Sequence, residues 1–432
     1  MEYIGIDFGT TNSALAIASE ARAIRLASFQ SSDGMTDVFR SVLYFEQDQR
    51  TVPRKVLAYA GPEAIDHYLT DEVKGRFMQS LKSYLASPLF TSTNVFGRNY
   101  SLEDLIAYLL RSLTSNAFGS SRPSDRLVFV GRPVRFVGSE SASDDSLALD
   151  RLTTAFERIG VSSFTFEYEP VAAAYFYEAR LTENERILVA DFGGGTSDFS
   201  ILEVGPTPRA KASARTILGT SGIGIAGDSF DARIVRQVVS PLLGAGTTYR
   251  SLRKQLPVPA WPYIKLEHWH HLSLLKNKET LNLLHGLAAN AEDADAIRMF
   301  IRIINGDMGF YLHRAVQRCK NELSENDSSC FLFHWEDVNI SRVVRRDEFE
   351  AWIKNDLDQI RQCVTTLLQR VGVAPQSIDR VFLTGGSSLV PAVRGIFTEQ
   401  FGSSKLAGGG EFVSVAQGLA LRAMDTVVLH SS

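Results

Sequence analysis

One pattern occurs twice in this chain and limits what it can fold into more than any other. Tyr3-Ile4-Gly5-Ile6-Asp7-Phe8-Gly9-Thr10-Thr11-Asn12-Ser13-Ala14-Leu15-Ala16-Ile17 reads as an apolar run, an aspartate, a Gly/Thr/Ser turn and a second apolar run. Ile187-Leu188-Val189-Ala190-Asp191-Phe192-Gly193-Gly194-Gly195-Thr196-Ser197-Asp198-Phe199-Ser200-Ile201-Leu202 repeats that grammar, with Asp191 standing 184 residues after Asp7. Run, turn and run predict a β-hairpin whose turn leaves backbone amides free. A second echo pairs Arg126-Leu127-Val128-Phe129-Val130-Gly131-Arg132-Pro133 with Arg380-Val381-Phe382-Leu383-Thr384-Gly385-Gly386-Ser387, both buried-type strands ending in glycine. Helical stretches, Leu102–Leu113 and Phe349–Val371, precede these strands. A repeat this long is a domain duplication rather than a solenoid. The expectation is two α/β units facing each other across a cleft.

Length and composition agree. At 432 residues, a rough 150 residues per domain predicts about three domains or two large lobes. With 45 basic and 49 acidic residues the net charge is −4, which excludes a general polyanion binder. A hydrophobic share of 44% and a charged share of 22% exclude disorder as the dominant state. Cys319, Cys330 and Cys363 lack CxxC spacing and form neither a disulfide framework nor a four-cysteine zinc site. The opening residues are no signal peptide, and no apolar run reaches the roughly 20 residues of a membrane span. A soluble, cytoplasmic chain is expected. The segment Pro241–Asn290, with Leu256-Pro257-Val258-Pro259-Ala260-Trp261-Pro262, reads as an insertion or peripheral subdomain within about 241–300. Ser139–Ser146 reads as an exposed loop.

The two hairpin turns are where chemistry concentrates. Glycines in Gly9-Thr10-Thr11-Asn12-Ser13 and Gly193-Gly194-Gly195-Thr196-Ser197 permit close backbone approach, and the hydroxyls add donors. A phosphate chain between two such loops would be wrapped by amides from both sides. Asp7, Asp191 and Asp198 supply the hard carboxylates that Mg²⁺ uses beside phosphates, usually with waters retained. A single Gly/Ser/Thr turn is ordinarily just a turn; two copies, each with a strand-terminal aspartate, favour the phosphate reading. Competing motifs fail. No Gly-Lys pair exists, so the lysine-bearing phosphate loop is absent. Gly222-Ile223-Gly224-Ile225-Ala226-Gly227 fits GxGxxG but lacks an acid about 20 residues on. Asp191-Phe192-Gly193 has no preceding His-Arg-Asp loop.

The ordered set Ile6–Ser13, Glu169-Pro170-Val171-Ala172-Ala173-Ala174, Asp191–Asp198, Gly227-Asp228-Ser229-Phe230-Asp231 and Gly385-Gly386-Ser387-Ser388-Leu389-Val390-Pro391 resembles DnaK-type heat-shock chaperones. More widely it resembles the actin, sugar-kinase and chaperone ATPase superfamily, from residue 1 to about 425. The Glu-Pro-x-Ala-Ala-Ala run argues against the sugar kinases. Val130–Pro133, Tyr168–Pro170, the Pro/Trp segment and Ala407-Gly408-Gly409-Gly410-Glu411-Phe412 look closest to the shortened YegD-like branch, which resembles only the chaperone's ATPase domain. The resemblance implies a two-lobed actin-like ATPase fold of duplicated ribonuclease-H-like units around a nucleotide cleft. Lobes of 1–183 and 184–432 are expected, with no substrate-binding domain.

The same resemblance implies roles. Asp7 and Asp198 look like Mg²⁺-site carboxylates acting through waters; Thr10, Thr11, Asn12, Gly193, Gly194, Gly195 and Thr196 look like phosphate binders. Glu169 and Asp191, with Asp198, look like the catalytic carboxylates that orient an attacking water. Lys320 and Ser324 look like ribose and adenine contacts, joined by Gly227, Asp228, Gly385, Gly386 and Ser387 around the adenosine. In-line attack of water on the γ-phosphate of ATP would follow. Two departures stand out. The register drawn through Gly61-Pro62-Glu63-Ala64-Ile65 puts Ile65 where the family has a catalytic lysine, and neither Lys74 nor Lys82 restores the spacing without a gap. Asn321 replaces an arginine that could stack on the base. Asp425-Thr426-Val427-Val428-Leu429 faintly resembles the family's interdomain linker.

The expected function is therefore an ATP-binding, chaperone-like protein, a slow Mg²⁺-dependent ATPase whose lobe closure gates a protein partner. A nucleotide-gated binding module with little hydrolysis, or an actin-like filament protein, are the alternatives. The expected protein is monomeric or weakly self-associating, with no nucleic-acid or membrane partner. Other residues read as bland: His268-Trp269-His270-His271 as an amphipathic helix rather than a metal site, Trp261 and Trp269 as satellite-core packing, Cys319 as a buried hydrophobe, and Arg342, Arg345 and Arg346 as a solvated face.

Overall fold

The computed structural model describes residues 2–430 apart from 22, 32–33, 71–74, 119–125, 162, 179–180, 206–215, 269–274, 307, 336–337 and 409–413. Lys74, Trp269, His270, His271 and the run Gly409–Phe412 thus lie outside the described residues. Two mixed sheets dominate. In the first, strands Phe164–Tyr168, Leu127–Arg132, Glu2–Asp7, Asn12–Ser19 and Ile24–Leu26 lie in that order. In the second the order is Leu406–Gly408, Arg380–Thr384, Glu185–Phe192, Ser197–Val204 and Thr216–Ile223. Both run through two parallel pairings and then two antiparallel ones. The duplication seen in the sequence is thus a duplication of topology. It extends to register: Asp7 pairs with Ala14 and Asp191 with Asp198, the same step around each turn.

The central strands are apolar on both faces because both faces are covered. Ile4 and Ile6 pack with Leu15 and Ile17 against helices Leu102–Phe118 and Ala142–Arg158. Tyr3, Ala14 and Ala16 face a second core shared with Ile187, Val189 and Leu202 of the other sheet. That shared core is built by two topologically equivalent helices, each following the last parallel strand of its copy: Glu169–Glu178 and Ser414–His430. A Cβ on Gly418 would lie 1.7 Å from the Ala172 carbonyl oxygen, and one on Gly5 would lie 2.1 Å from that of Ala416. The alanine run after Glu169-Pro170 is therefore a packing surface, small because a backbone lies against it.

Packing divides the described chain into two compact units. One comprises residues 1–226, 360–388 and 395–432; the other comprises 227–359 and 389–394. Both large sheets fall in the first unit, since the C-terminal helix returns to Glu2–Asp7. The second unit holds helices Gly227–Ile234, Lys278–Ala288, Ala294–Asn305 and Gly309–Glu325, most of Arg346–Val371, and the hairpin of Ser328–Trp335 with Val338–Arg345. The proline-rich stretch lies inside it: Pro257 closes strand Lys254–Pro257, Pro259 lies in the connection, and Pro262 enters helix Trp261–Glu267. Ser139–Ser146 is neither wholly exposed nor all loop: Ser139 is buried while Glu140–Ser143 and Ser146 are exposed. Ser141 caps helix Ala142–Arg158 in a reciprocal box with Asp144. Asp425–Leu429 lies within the helix Ser414–His430.

Candidate functional site

The first unit brings the two turns together. The position a Cβ on Gly195 would take lies 3.8 Å from Thr10 Oγ1, 4.0 Å from Ser83 Oγ and 3.2 Å from a Val137 methyl. Gly194 and Thr196 flank it. The second turn is closed by Gly193 N donating to Thr196 O at 2.9 Å, and Ser197 Oγ donates to Ile225 O at 2.6 Å. Gly385, at φ +81°, lets its segment approach so closely that a Cβ there would be 2.0 Å from Phe192 O. Gly386 and Ser387 open the short 3-10 turn that follows.

Between the turns lies a cluster of carboxylates: Asp7 and Asp191 at strand ends, Asp198 one residue past the second turn, and Glu169 at the start of its helix. Asp198 is 1% exposed; its Oδ1 accepts from Val134 N at 3.1 Å. A Cβ on Gly222 would be 2.7 Å from that oxygen, so the first glycine of the GxGxxG run serves as clearance for a carboxylate. Asp191 accepts from Thr384 Oγ1. Burial, then the charges of neighbouring carboxylates, raise the acids: Asp7 and Asp198 well above the ordinary carboxyl range, Asp191 to about 6.

Lys82 is the only cation reaching this cluster among the described residues that shift its acids. Its Nζ lies 2.6 Å from Glu169 Oε1, and both side chains are buried. Burial alone would lower the lysine; the carboxylates of Glus and Asps around it, Glu169 and Asp7 foremost, outweigh that and raise it. The structure thus places Lys82, and not Ile65, beside the carboxylates. Ile65 is in helix Pro62–Thr70, whereas strand Arg76–Gln79 and a left-handed Ser80 (φ 55°) deliver Lys82 into the site from a 3-10 turn. The readable signal was a lone lysine inside Phe77-Met78-Gln79-Ser80-Leu81-Lys82-Ser83-Tyr84-Leu85. Ser83, Thr384 and the Val134 amide were also missed.

Four carboxylates against one ammonium leave a deficit of positive charge, and their oxygens are the hard donors Mg²⁺ prefers. Among the described residues no three His, Cys, Asp or Glu side chains converge as a direct ligand set. The carboxylate oxygens present are of the hard type that a divalent cation beside phosphates uses.

Of the residues expected on the adenosine side, Gly385, Gly386 and Ser387 belong to the first unit, and the others lie within the second. In the second, Lys320 Nζ pairs with Asp231 Oδ1 at 2.7 Å and donates to Gly227 O at 3.4 Å, tying helix Gly309–Glu325 to the start of helix Gly227–Ile234, where Asp228 sits. Ser324 Oγ donates back to Lys320 O at 3.1 Å. His268 ends helix Trp261–Glu267, and Cys319 is buried. Among the described residues no helix is long and apolar enough to cross a membrane.

Comparison with known proteins points one way. The family model described as Hsp70 protein matches residues 307–428. The chain is 25% identical to the chaperone protein DnaK of Deinococcus proteolyticus, over 97% of this chain and 58% of that one. It is 24% identical to the chaperone protein dnaK of Emiliania huxleyi (97% and 59%) and 25% identical to heat shock 70 kDa protein 7, chloroplastic, of Arabidopsis thaliana (97% and 52%). The chain thus spans little more than half the length of these relatives. Its mixed α/β architecture of two mixed sheets is consistent with an Hsp70-type ATPase domain, and over nearly its whole length the chain is similar, at low identity, to Hsp70/DnaK chaperones.

Proposed function

We propose that this chain binds ATP and ADP with Mg²⁺ between the turns at Gly9–Ser13 and Gly193–Ser197, and hydrolyses ATP slowly. The observation that carries this reading is Lys82 paired to Glu169 inside the aspartate cluster. Thr10, Thr11, Asn12 and the second turn bind the phosphates through amides and hydroxyls. Lys82 balances charge on the γ-phosphate, the kind of fixed electrostatic aid that dominates phosphoryl transfer. Mg²⁺ supplies charge neutralisation at the phosphate oxygens when bound, held through water by Asp7 and Asp198. Glu169 and Asp191 hold the attacking water; Asp191, near pH 6, is poised to accept its proton. Gly385, Gly386 and Ser387, beside the second turn, contact the nucleoside.

Nucleotide state then gates an unidentified protein partner, in the cytoplasm, with a chaperone-related role. The reading in which the chain binds nucleotide without hydrolysing it rests on Ile65; the Lys82–Glu169 pair supports the hydrolytic reading instead. Titration calorimetry of ATP with and without Mg²⁺, joined to single-turnover hydrolysis, is the test. Micromolar Mg²⁺-dependent binding with measurable turnover is expected. No binding sinks the proposal; binding without turnover leaves the gated module; a rise in light scattering on adding ATP and Mg²⁺ selects the filament.

A further inference from the structure

Behind the first turn lie two buried serines, Ser13 and Ser41, at 3% and 2% exposure. Their hydrogen bonds form a closed ring around the Gly9 peptide groups. Gly9 N donates to Ser13 Oγ at 3.2 Å, Ser13 Oγ and Ser41 Oγ are 2.8 Å apart, and Ser41 Oγ donates to Gly9 O at 2.8 Å. The proton order is fixed by elimination. A carbonyl only accepts, so the Ser41 hydroxyl hydrogen is used on Gly9 O, and the hydrogen between the serines belongs to Ser13. The ring runs one way: Gly9 N–H to Ser13, Ser13 to Ser41, Ser41 to Gly9 carbonyl.

Ser41 makes a further contact, its backbone N donating to Thr11 O at 3.0 Å. One residue therefore draws the carbonyls of Gly9 and Thr11 to the same side. In a planar trans peptide the N–H points opposite to the C=O. The amides that follow, those of Thr10 and Asn12, are thereby turned away from Ser41. Arg40, the neighbour of Ser41, adds Nη1 donating to Asn12 Oδ1 at 3.0 Å. The equivalent serine of the second copy, Ser197, bonds instead to a carbonyl, so this device belongs to the first turn alone.

We infer that Ser41 and Ser13 are positioning residues for the first phosphate turn, setting its amides toward the phosphates without touching nucleotide themselves. This rests on the nucleotide reading above. Calorimetric affinities for ADP and for adenosine are measured on the full chain and its Ser41→Ala and Ser13→Ala variants, with Gly9 amide hydrogen exchange followed without ligand. Ser41→Ala should weaken ADP about tenfold, the scale of one lost buried hydrogen-bond network, while adenosine affinity stays level. Ser13→Ala, which keeps the Ser41 bond to Gly9, should lose less ADP affinity but speed exchange at Gly9 more. Equal losses for ADP and adenosine, or ADP affinity unchanged in both variants, overturns the inference. A wild-type chain that binds no ADP instead overturns the nucleotide reading beneath it. The exchange measurement still reports the strap in that case, and unchanged Gly9 exchange in both variants removes it too.

Discussion

Lys82 and Glu169, 87 residues apart in the chain, meet at 2.6 Å as a buried ion pair. Neither is near the other's element in sequence: one leaves a three-stranded sheet through a left-handed serine, the other opens a helix. A pair so buried is weak evidence for stability, because desolvating two charges consumes most of their attraction. Its setting among three aspartates gives it a different meaning, a cation fixed where negative charge accumulates.

Lys82→Ala should therefore reduce the single-turnover rate of ATP hydrolysis on the order of a hundredfold or more, the usual scale for one preorganised electrostatic group. Ile65→Lys should gain nothing. Rapid-quench measurements at saturating ATP check both. A Lys82→Ala rate within threefold of wild type, or an accelerated Ile65→Lys, would return the catalytic position to helix Pro62–Thr70.

Asp7→Asn and Asp198→Asn should have opposite effects on the empty protein and on the loaded one. Each removes a repulsive charge, so the melting temperature without Mg²⁺ should hold or rise. Each also removes attraction for the hydrated cation, so Mg²⁺ enhancement of ATP affinity should drop at least about tenfold. In Asp198→Asn the amide oxygen can still accept from Val134 N, which keeps the loop in place. Calorimetric titrations with equal Mg²⁺ dependence in variant and wild type would sink the metal assignment.

The acids also set a pH dependence. Burial and then Glu169 raise Asp191 from 3.8 to about 6 in the fold. A raised carboxyl holds its proton more tightly when folded. Its stabilising contribution is complete below the ordinary value of 3.8 and is lost as pH rises through about 6. Without Mg²⁺, raising pH from 5 to 7.5 should thus cost wild type more than Asp191→Asn, by on the order of 2 °C in melting temperature. Scanning calorimetry of both proteins at the two pH values gives the difference; a variant that loses as much as wild type removes Asp191 from the account.

How much of this was legible in the sequence follows from how local each feature is. The hairpins at Asp7 and Asp191 were, since run, turn and run lie within 16 residues and their period repeats. That the chain holds two copies of one α/β unit followed from the same echo, but the strand orders of the two sheets did not. Lys82 was not legible, because its place depends on the backbone of Ser80 and on a sheet contact rather than on spacing from a motif. The ring through Ser13, Ser41 and Gly9 joins residues 28 and 32 apart and left no pattern at all. The make-up of the compact units was not legible either, because the C-terminal helix packs on the first strand, a contact between the ends of the chain.

That contact yields the last prediction, a pair of substitutions with opposite signs. Gly418 lies in helix Ser414–His430 against the Ala172 carbonyl, where an added Cβ has 1.7 Å of room. Gly418→Ala improves helix propensity by about 1 kcal/mol, but it must separate two helices whose backbones touch. Overpacking of a buried contact costs roughly 1–3 kcal/mol or more, and here it should win. Gly286 lies in helix Lys278–Ala288 with nothing within 4 Å of its Cβ position, so Gly286→Ala keeps the propensity gain and adds no clash. Chemical denaturation should place Gly418→Ala below wild type in midpoint and Gly286→Ala at or above it. A Gly418→Ala protein as stable as Gly286→Ala would mean the two helices can part without loss. The alanines after Glu169-Pro170 would then have no packing reason to be small.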